Sequence, residues 1–286
     1  MRSTLLSSLI GASLLFTQPA QAASLSQQWT LSGFSQPESV FVSPKHEWLY
    51  VSNVNGEGKG FISKLSKDGQ LKQMKWVDDL AGPTGMGMYN NHLYVVDGLQ
   101  VHVIDVKKGR VVDSIQAKGA VMLNDLSISA EGQLFVSDIA TGKIYNLVNN
   151  ELKVWFEDKR LPHTNGLLVK GNTLIAANMA SKLAQEFESE EFGSLYKIDI
   201  PTKSVQMINS SYKLGGLDGV AALDDALIVS HFPAGEIYKI TDKQRVLLGT
   251  VDASSADINV DESTRTLFVP VLFNGTVTSY KISNDK

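Results

Sequence analysis

The chain has 286 residues, 43% of them hydrophobic and 20% charged, with a formal net charge of −4 and no cysteine. This is the balance of a globular protein rather than a disordered one, and without a Lys/Arg cluster nothing points to nucleic acid as a partner. The lack of cysteine excludes thiol nucleophiles, thiolate metal sites, disulfides and covalently held haem.

In chain order, Met1-Arg2 gives a minimal basic start and Leu5 to Phe16 an apolar run, followed by a small-x-small cleavage site at Ala20-Gln21-Ala22. The pattern predicts a secretory signal over residues 1–22, its apolar run too short to cross a bilayer, and a periplasmic or secreted product. The other reading, a buried N-terminal element, lacks any alternation in the run. No later segment approaches eighteen consecutive apolar residues, so residues 23–286 are expected to be a soluble single domain without a membrane span.

One pattern then recurs six times: a polar residue, a short strand, a turn, and a second strand that closes on another polar residue. It reads PESVFVSPKHEWLYVSN from Pro37, PTGMGMYNNHLYVVD from Pro83 and LNDLSISAEGQLFVSD from Leu123. It returns as TNGLLVKGNTLIAAN from Thr164, LDGVAALDDALIVSH from Leu217 and ADINVDESTRTLFVPV from Ala256. The opening residues are Glu38, Thr84, Asn124, Asn165, Asp218 and Asp257; the closing ones are Asn53, Asp97, Asp138, Asn178, His231 and Val271. A third strand follows a glycine, as in Gly142-Lys143-Ile144-Tyr145, and a fourth follows a polar turn, as after Lys107-Lys108-Gly109-Arg110. Four short strands per unit, with a period of roughly 40–50 residues, predict an all-β, six-bladed β-propeller. The sixth unit ends at Tyr280-Lys281-Ile282 without an outer strand. Gln28-Trp29-Thr30-Leu31 is a spare strand, expected to close the last blade and remove a free edge.

The first strand of each unit starts where the second ends, because the two are antiparallel. Openers and closers therefore form two polar rings at one end of the central channel. Glu38, Asn124, Asn165 and Asp218 supply two carboxylates and two amide carbonyls. An all-oxygen set drawn from four units favours Ca²⁺, with Mg²⁺, Mn²⁺ and Zn²⁺ as alternatives. Singly, Asn165-Gly166 and Asp218-Gly219 also read as turn pairs. His231 and His163 are candidates for proton transfer, whereas His46, His92 and His102 fall facing away from the mouth. Thr84, Met122, Asp138, Asn178 and His163 are candidate contacts for a small-molecule substrate. Gly56-Glu57-Gly58-Lys59-Gly60 resembles a phosphate loop but lacks the following Gly-Lys-Ser/Thr, and reads as a turn. The fourth unit carries an insertion at residues 179–192 of helix-forming composition. It reads either as a lid with Met179, Leu183 and Phe187 turned inward, or as a solvated acidic bump bearing Glu186, Glu188, Glu190 and Glu191.

PESV at Glu38, LNDLSIS at Asn124, HTNGLLV at Asn165 and LDGVAAL at Asp218 resemble the senescence-marker-protein, gluconolactonase and luciferin-regenerating-enzyme family. More distantly they resemble the paraoxonases and strictosidine-synthase-like proteins. The resemblance spans residues 23–286. It implies a six-bladed propeller, a divalent ion on those four residues, and hydrolysis of a lactone or related ester with Asp218 as general base. Met122 stands where the sugar lactonases usually carry arginine, and Asn124-Asp125-Leu126 replaces their Asn-Asp-Gly. Together with Met86, Met88 and Met179, this implies a more apolar ligand than a sugar acid. The alternative is a non-catalytic propeller that binds a protein, peptide or envelope component and keeps the metal for structure. The sequence leaves the oligomeric state open, a monomer being compatible with it.

Overall fold

The computed structural model describes residues 24–44, 47–183 and 189–283. Among them the chain is strand and turn, apart from one 3-10 turn at Asn209–Ser211. The segment read as a secretory signal and His46 lie outside the described residues. No helix among the described residues is long and apolar enough to cross a membrane.

Six four-stranded antiparallel sheets follow one another along the chain as the blades of a propeller. Blade one is β2 (Pro37–Val42), β3 (Trp48–Asn53), β4 (Gly60–Ser66) and β5 (Leu71–Leu80). Blade two is β6 (Pro83–Tyr89), β7 (His92–Asp97), β8 (Gln100–Asp105) and β9 (Arg110–Gln116). Blade three is β10 (Leu123–Ile128), β11 (Leu134–Asp138), β12 (Ile144–Val148) and β13 (Glu151–Phe156). Blade four is β14 (Thr164–Lys170), β15 (Thr173–Asn178), β18 (Leu195–Asp199) and β19 (Val205–Met207), interrupted by the hairpin β16 (Ala180–Leu183) and β17 (Ser189–Phe192). Blade five is β20 (Leu217–Leu223), β21 (Ala226–His231), β22 (Glu236–Ile240) and β23 (Arg245–Thr250). Blade six is β24 (Asn259–Asp261), β25 (Thr266–Val271) and β26 (Thr276–Ile282), completed by β1 (Leu25–Ser32) from the other end of the chain.

The burial pattern follows from this arrangement. A second strand has its own sheet on both sides and a neighbouring blade on each face, so β11 and β21 are buried at every position. Fourth strands lie at the rim, and β9 alternates mostly exposed residues with a buried Ile115. The core consists of the seams between blades. Leu223, Ile228 and Ile237 of blade five, for example, pack on Leu267, Val269 and Ile282 of blade six.

The last seam is closed as the sequence predicts. β1 pairs with β26 from Leu25↔Ile282 to Ser32↔Thr276. Trp29 packs on Phe268 with ring centroids 6.0 Å apart, and its Nε1 donates to the Lys67 carbonyl of blade one at 3.1 Å. The Lys67 ammonium in turn pairs with Asp261 of blade six. Two polar contacts thus fasten the first blade to the last, and the aromatic one holds β1 within blade six.

The insertion in blade four is a β-hairpin, with Ala180 paired to Phe192 and Lys182 to Glu191, rather than the helix its composition suggested. Its two legs leave from strands that are already antiparallel. Extending that ladder adds hydrogen bonds at once, whereas a short helix must first be nucleated. The hairpin root is anchored by Gly193 N–H to the Gly215 carbonyl (2.8 Å) and by Asn178 Nδ2 to the Ala180 carbonyl (2.8 Å). Met179 is buried at this root. Glu186, Phe187 and Glu188 lie outside the described residues.

A bulge recurs in the innermost pair of blades one to five. The register shifts between Pro37 and Val40, Pro83 and Met86, Leu123 and Leu126, Thr164 and Leu167, and Leu217 and Val220. Two residues per blade are thereby released from the ladder and re-aimed. The first of each pair is an opener. The closing residue always pairs with the residue just before the opener, as Leu217 does with His231. In blade six Ser255 bridges Val271 in that way, so Ala256 holds the opener position and Asp257 stands one residue further along. The assignment of Asp257 to the opener ring is corrected accordingly; with an alanine as opener, the register of this blade is invisible without the pairing.

Asn165-Gly166 and Asp218-Gly219 sit in these bulges, inside strands, and not in turns. Their glycines allow neighbouring inner strands to touch: a Cβ on Gly166 would lie 2.1 Å from the Asp218 carbonyl oxygen, and one on Gly219 2.3 Å from the Ile258 nitrogen. Gly166→Ala is expected to cost about 2 kcal/mol through overpacking, which in a chain of this size lowers the melting temperature by roughly 4–8 °C. A thermal melt checks this, and an unchanged midpoint would mean that blades four and five are not in such close contact.

Candidate metal centre at the channel mouth

The bulges place Glu38, Asn124, Asn165 and Asp218 at the same level of the channel. Glu38, Asn165 and Asp218 are buried, and Asn124 is half-buried. The Asn124 amide lies against the Glu38 carboxylate and the Asn165 amide against that of Asp218, while Glu38 feels the charge of Asp218. Each of the four nonetheless keeps one buried oxygen without any hydrogen-bond partner: Glu38 Oε2, Asn124 Oδ1, Asn165 Oδ1 and Asp218 Oδ1. A buried unsatisfied acceptor costs about 1–3 kcal/mol, so four around one locus form an arrangement that a cation would relieve. Among the described residues no three His, Cys, Asp or Glu side chains group as metal ligands. The cluster is half amide, a hard oxygen set that fits Ca²⁺ or a similar ion and offers no softer donor.

One residue deeper lies a second acidic layer that the repeat analysis did not single out. The positions following the openers are Ser39, Gly85, Asp125, Gly166 and Gly219, with Asp257 in the same place in blade six. Two carboxylates where the sister blades carry only small residues is a signal legible in the sequence once the bulge is recognised. Asp125 accepts from the Leu126 N–H (2.6 Å) and, across the seam, from the Leu167 N–H (2.6 Å). Asp257 Oδ2 accepts from Ser39 Oγ at 2.5 Å, and the backbones of Glu38 and Asp257 are bonded as well. These two carboxylates border a cavity of about 250 Å³ that continues down the axis between the inner strands as far as Glu262.

The electrostatics are those of anions gathered without a counter-charge. Burial raises the Glu38 pKa well above the ordinary value, and the charges of Asp218, Asp257 and Asp125 raise it further. Burial, then the Asp257 charge, does the same for Asp218 and Asp125. Burial alone moves Asp257 up to about 7.

The closer ring has a different task. Asp138 is fully buried and accepts from the backbone N–H groups of Val121 (2.9 Å), Met122 (3.2 Å), Ala140 (3.2 Å) and Thr141 (3.3 Å). Asn178 accepts from the His163 N–H at 3.0 Å, and Asp97 from those of Ala81 (3.0 Å) and Gly82 (2.6 Å). These three closers thus rivet the loops entering their own blades, and the proposed substrate contacts Asp138 and Asn178 are engaged by backbone. His163 Nδ1 faces the Ile139 carbonyl at 3.1 Å. Thr84 donates to the Asn124 carbonyl at 2.6 Å and so holds the strand that carries a candidate ligand. Met122 is exposed at the mouth. His231 is buried, with Nδ1 3.1 Å from Glu236 Oε2, which also accepts from Tyr238 OH at 2.7 Å; its ring meets Phe192 edge-on at 5.4 Å. His102 places Nε2 2.9 Å from the closer Asp97.

No protein-family model and no curated protein matches this chain in sequence. Solved structures do match it in three dimensions. A protein described as a candidate gluconolactonase superposes with a TM-score of 0.68 at 17% identity, covering 91% of this chain and 92% of its own. A catalytically inactive variant of virginiamycin B lyase from Staphylococcus aureus, with quinupristin, gives 0.62 at 11% identity over 92% of this chain and 100% of that one. A streptogramin B lyase gives 0.62 at 12%, over 91% and 98%. The fold is theirs. At these identities the likeness is one of architecture, and function has to be argued from the site.

Proposed function

We propose that the chain is an exported, divalent-cation-dependent hydrolase of a lactone or related ester. The observation that carries this reading is the set of four orphaned buried oxygens on Glu38, Asn124, Asn165 and Asp218. Those residues would hold the ion, with Ca²⁺ the best match to a mixed carboxylate and amide set. A bound divalent ion supplies polarisation of an ester carbonyl and charge for the oxyanion that hydrolysis creates. Asp218 would take the proton from the attacking water, with the Asn165 amide holding its carboxylate in place. Thr84, through the Asn124 carbonyl, fixes the strand bearing a third ligand. The candidate gluconolactonase among the structural neighbours accords with lactone chemistry without deciding it.

The test is hydrolysis of a panel of lactones and aryl esters by the purified protein. Turnover is expected with Ca²⁺, is abolished by chelator, and falls at least 10²-fold in Asp218→Ala. Full turnover after exhaustive removal of metal would overturn the mechanism. One observation favours a second reading, a non-catalytic propeller with a structural ion that binds a protein, peptide or envelope component: Asp138 and Asn178 are taken up by backbone and His231 by Glu236. On that reading Asp218→Ala lowers cation affinity while the whole ester panel stays silent.

A further inference from the structure

In blade two a polar network runs from the closer ring out to the rim. Asp97 ends β7, His102 lies on β8 and Ser114 on β9, so three successive strands each contribute one side chain. His102 and Ser114 are paired in register, and Asp97 pairs with Gln100, two residues before His102 on the same face. The apolar residues Val101, Val103 and Ile115 point the other way and pack on blade three. His102 Nε2 is 2.9 Å from Asp97 Oδ2, and its Nδ1 is 2.7 Å from Ser114 Oγ. Burial falls outward along this line. Asp97 is buried, His102 half-buried and Ser114 exposed.

The protons on this line can be placed. Burial alone would raise the Asp97 pKa, but hydrogen bonds from His102 and from the Ala81 and Gly82 N–H groups outweigh it and hold the carboxyl below its usual value. An ionised carboxylate 2.9 Å from Nε2 requires a proton between them. Gln100 Nε2, 3.2 Å from the same nitrogen, is the weaker, uncharged neighbour. A neutral ring protonated on Nε2 keeps a lone pair on Nδ1, which therefore accepts from the Ser114 hydroxyl. Carboxylate, imidazole and hydroxyl then stand in the order and tautomer that activate a serine. In blades one and five the closer also bonds to the third strand, Asn53 to Ser63 and His231 to Glu236. In blade two that contact runs on through an imidazole to an exposed hydroxyl.

We propose that Ser114 is a second reactive centre, independent of any metal: a nucleophile that takes an acyl group from activated esters such as aryl esters. As Ser114 Oγ bonds to the acyl carbon, its proton passes to His102 Nδ1. The aryloxide leaves with the electron pair of the broken ester bond and recovers that proton, giving an acyl-serine and a phenol. The Ser114 N–H is engaged by Asp113 Oδ1 at 2.8 Å and does not serve as an oxyanion donor. A good leaving group compensates for that loss, whereas release of the acyl group would have to expel a serine alkoxide. The modification is therefore stoichiometric, and turnover of lactones or esters still belongs to the channel mouth.

The experiment treats the purified protein with p-nitrophenyl acetate in the presence of chelator and maps the labelled peptide by mass. Ser114 is expected to gain an acetyl group, and to gain it equally fast in Asp218→Ala, so failure of the proposed metal site leaves this result untouched. His102→Gln should slow labelling of Ser114 at least about 10²-fold, and Asp97→Asn should slow it by permitting the wrong tautomer. A second measurement leaves these contacts in place. Ser114→Cys puts a single thiol into a chain that has none. Iodoacetamide should alkylate it faster than the thiol of Ser26→Cys, an exposed position on outer strand β1, and His102→Gln should abolish the difference. Acetyl groups on lysines with none on Ser114, labelling of Ser114 as fast without the imidazole, or equal thiol rates would each overturn the proposal. The three side chains would then be a structural tie between strands.

Discussion

Cation-free protein is expected to melt at a higher temperature at pH 5.5 than at pH 8, and Ca²⁺ is expected to remove that difference by stabilising the protein mainly at the higher pH. Glu38, Asp125, Asp218 and Asp257 all have folded-state pKa values above their unfolded ones, by burial first and, for the first three, by neighbouring carboxylate charge as well. The native state therefore holds protons that the unfolded chain has released. That contribution is complete below the unfolded values, near 4, and is lost as pH rises through the folded ones, of which Asp257 lies at about 7. Asp158 behaves in the opposite sense. Its hydrogen bonds to Arg160 pull it down to about 2, so its contribution is lost only in stronger acid and leaves the window above pH 4 to the cluster. Ion binding requires the deprotonated carboxylates and so gains strength with pH. At a hundred times its dissociation constant, Ca²⁺ would add about 2.7 kcal/mol, which is roughly 5–10 °C in a domain of this size. Asp218→Asn separates charge from shape. In cation-free protein at pH 8 it should raise the midpoint, because a like charge is gone, and it should abolish the Ca²⁺ effect. A wild-type midpoint independent of both pH and Ca²⁺ would show that these carboxylates do not form one cluster.

Removal of residues 23–34 should produce a second large effect, a protein that unfolds far below the intact one or fails to fold. Without β1 the edge of β26 is unpaired, and the contacts Trp29 makes with Phe268 and with the Lys67 carbonyl disappear together. Because such a deletion can simply abolish expression, Trp29→Ala is the informative companion. Truncating this half-buried tryptophan is expected to cost about 3 kcal/mol, or roughly 6–12 °C. The loss should appear as one transition, seen identically by tryptophan fluorescence and far-UV circular dichroism. Two separated transitions would argue that blade six melts alone and that the ring is not a cooperative unit.

The architecture was readable because blades repeat. Short alternating strands, turns at fixed intervals and a leftover strand at Trp29 determine both the number of sheets and how the last is closed. The four oxygen-bearing openers were readable for the same reason, since register in the repeat translates into height in the channel. Three things were not. Asp257 was placed one position early because blade six has the apolar Ala256 where the other blades open on a polar residue, and only the Ser255–Val271 bridge reveals it. Asp138 and Asn178 looked like mouth residues because polarity at a strand end does not tell whether a side chain faces a ligand or the backbone of the next loop. The blade-four insertion has helix-forming residues, yet its ends are fixed by antiparallel strands. That boundary condition outweighs a weak local preference.

The first and last of the described strands meet in one sheet, and this orders events during synthesis. β1 precedes blade one, but its partner β26, ending at Ile282, follows the other described strands. Five blades can assemble as they emerge from the ribosome, while the latch waits for the final segment. A product of premature termination would carry an unpaired strand and an open seam, two exposed edges of the kind that quality-control proteases and aggregation both recognise. The circle thus checks that all six blades have been made.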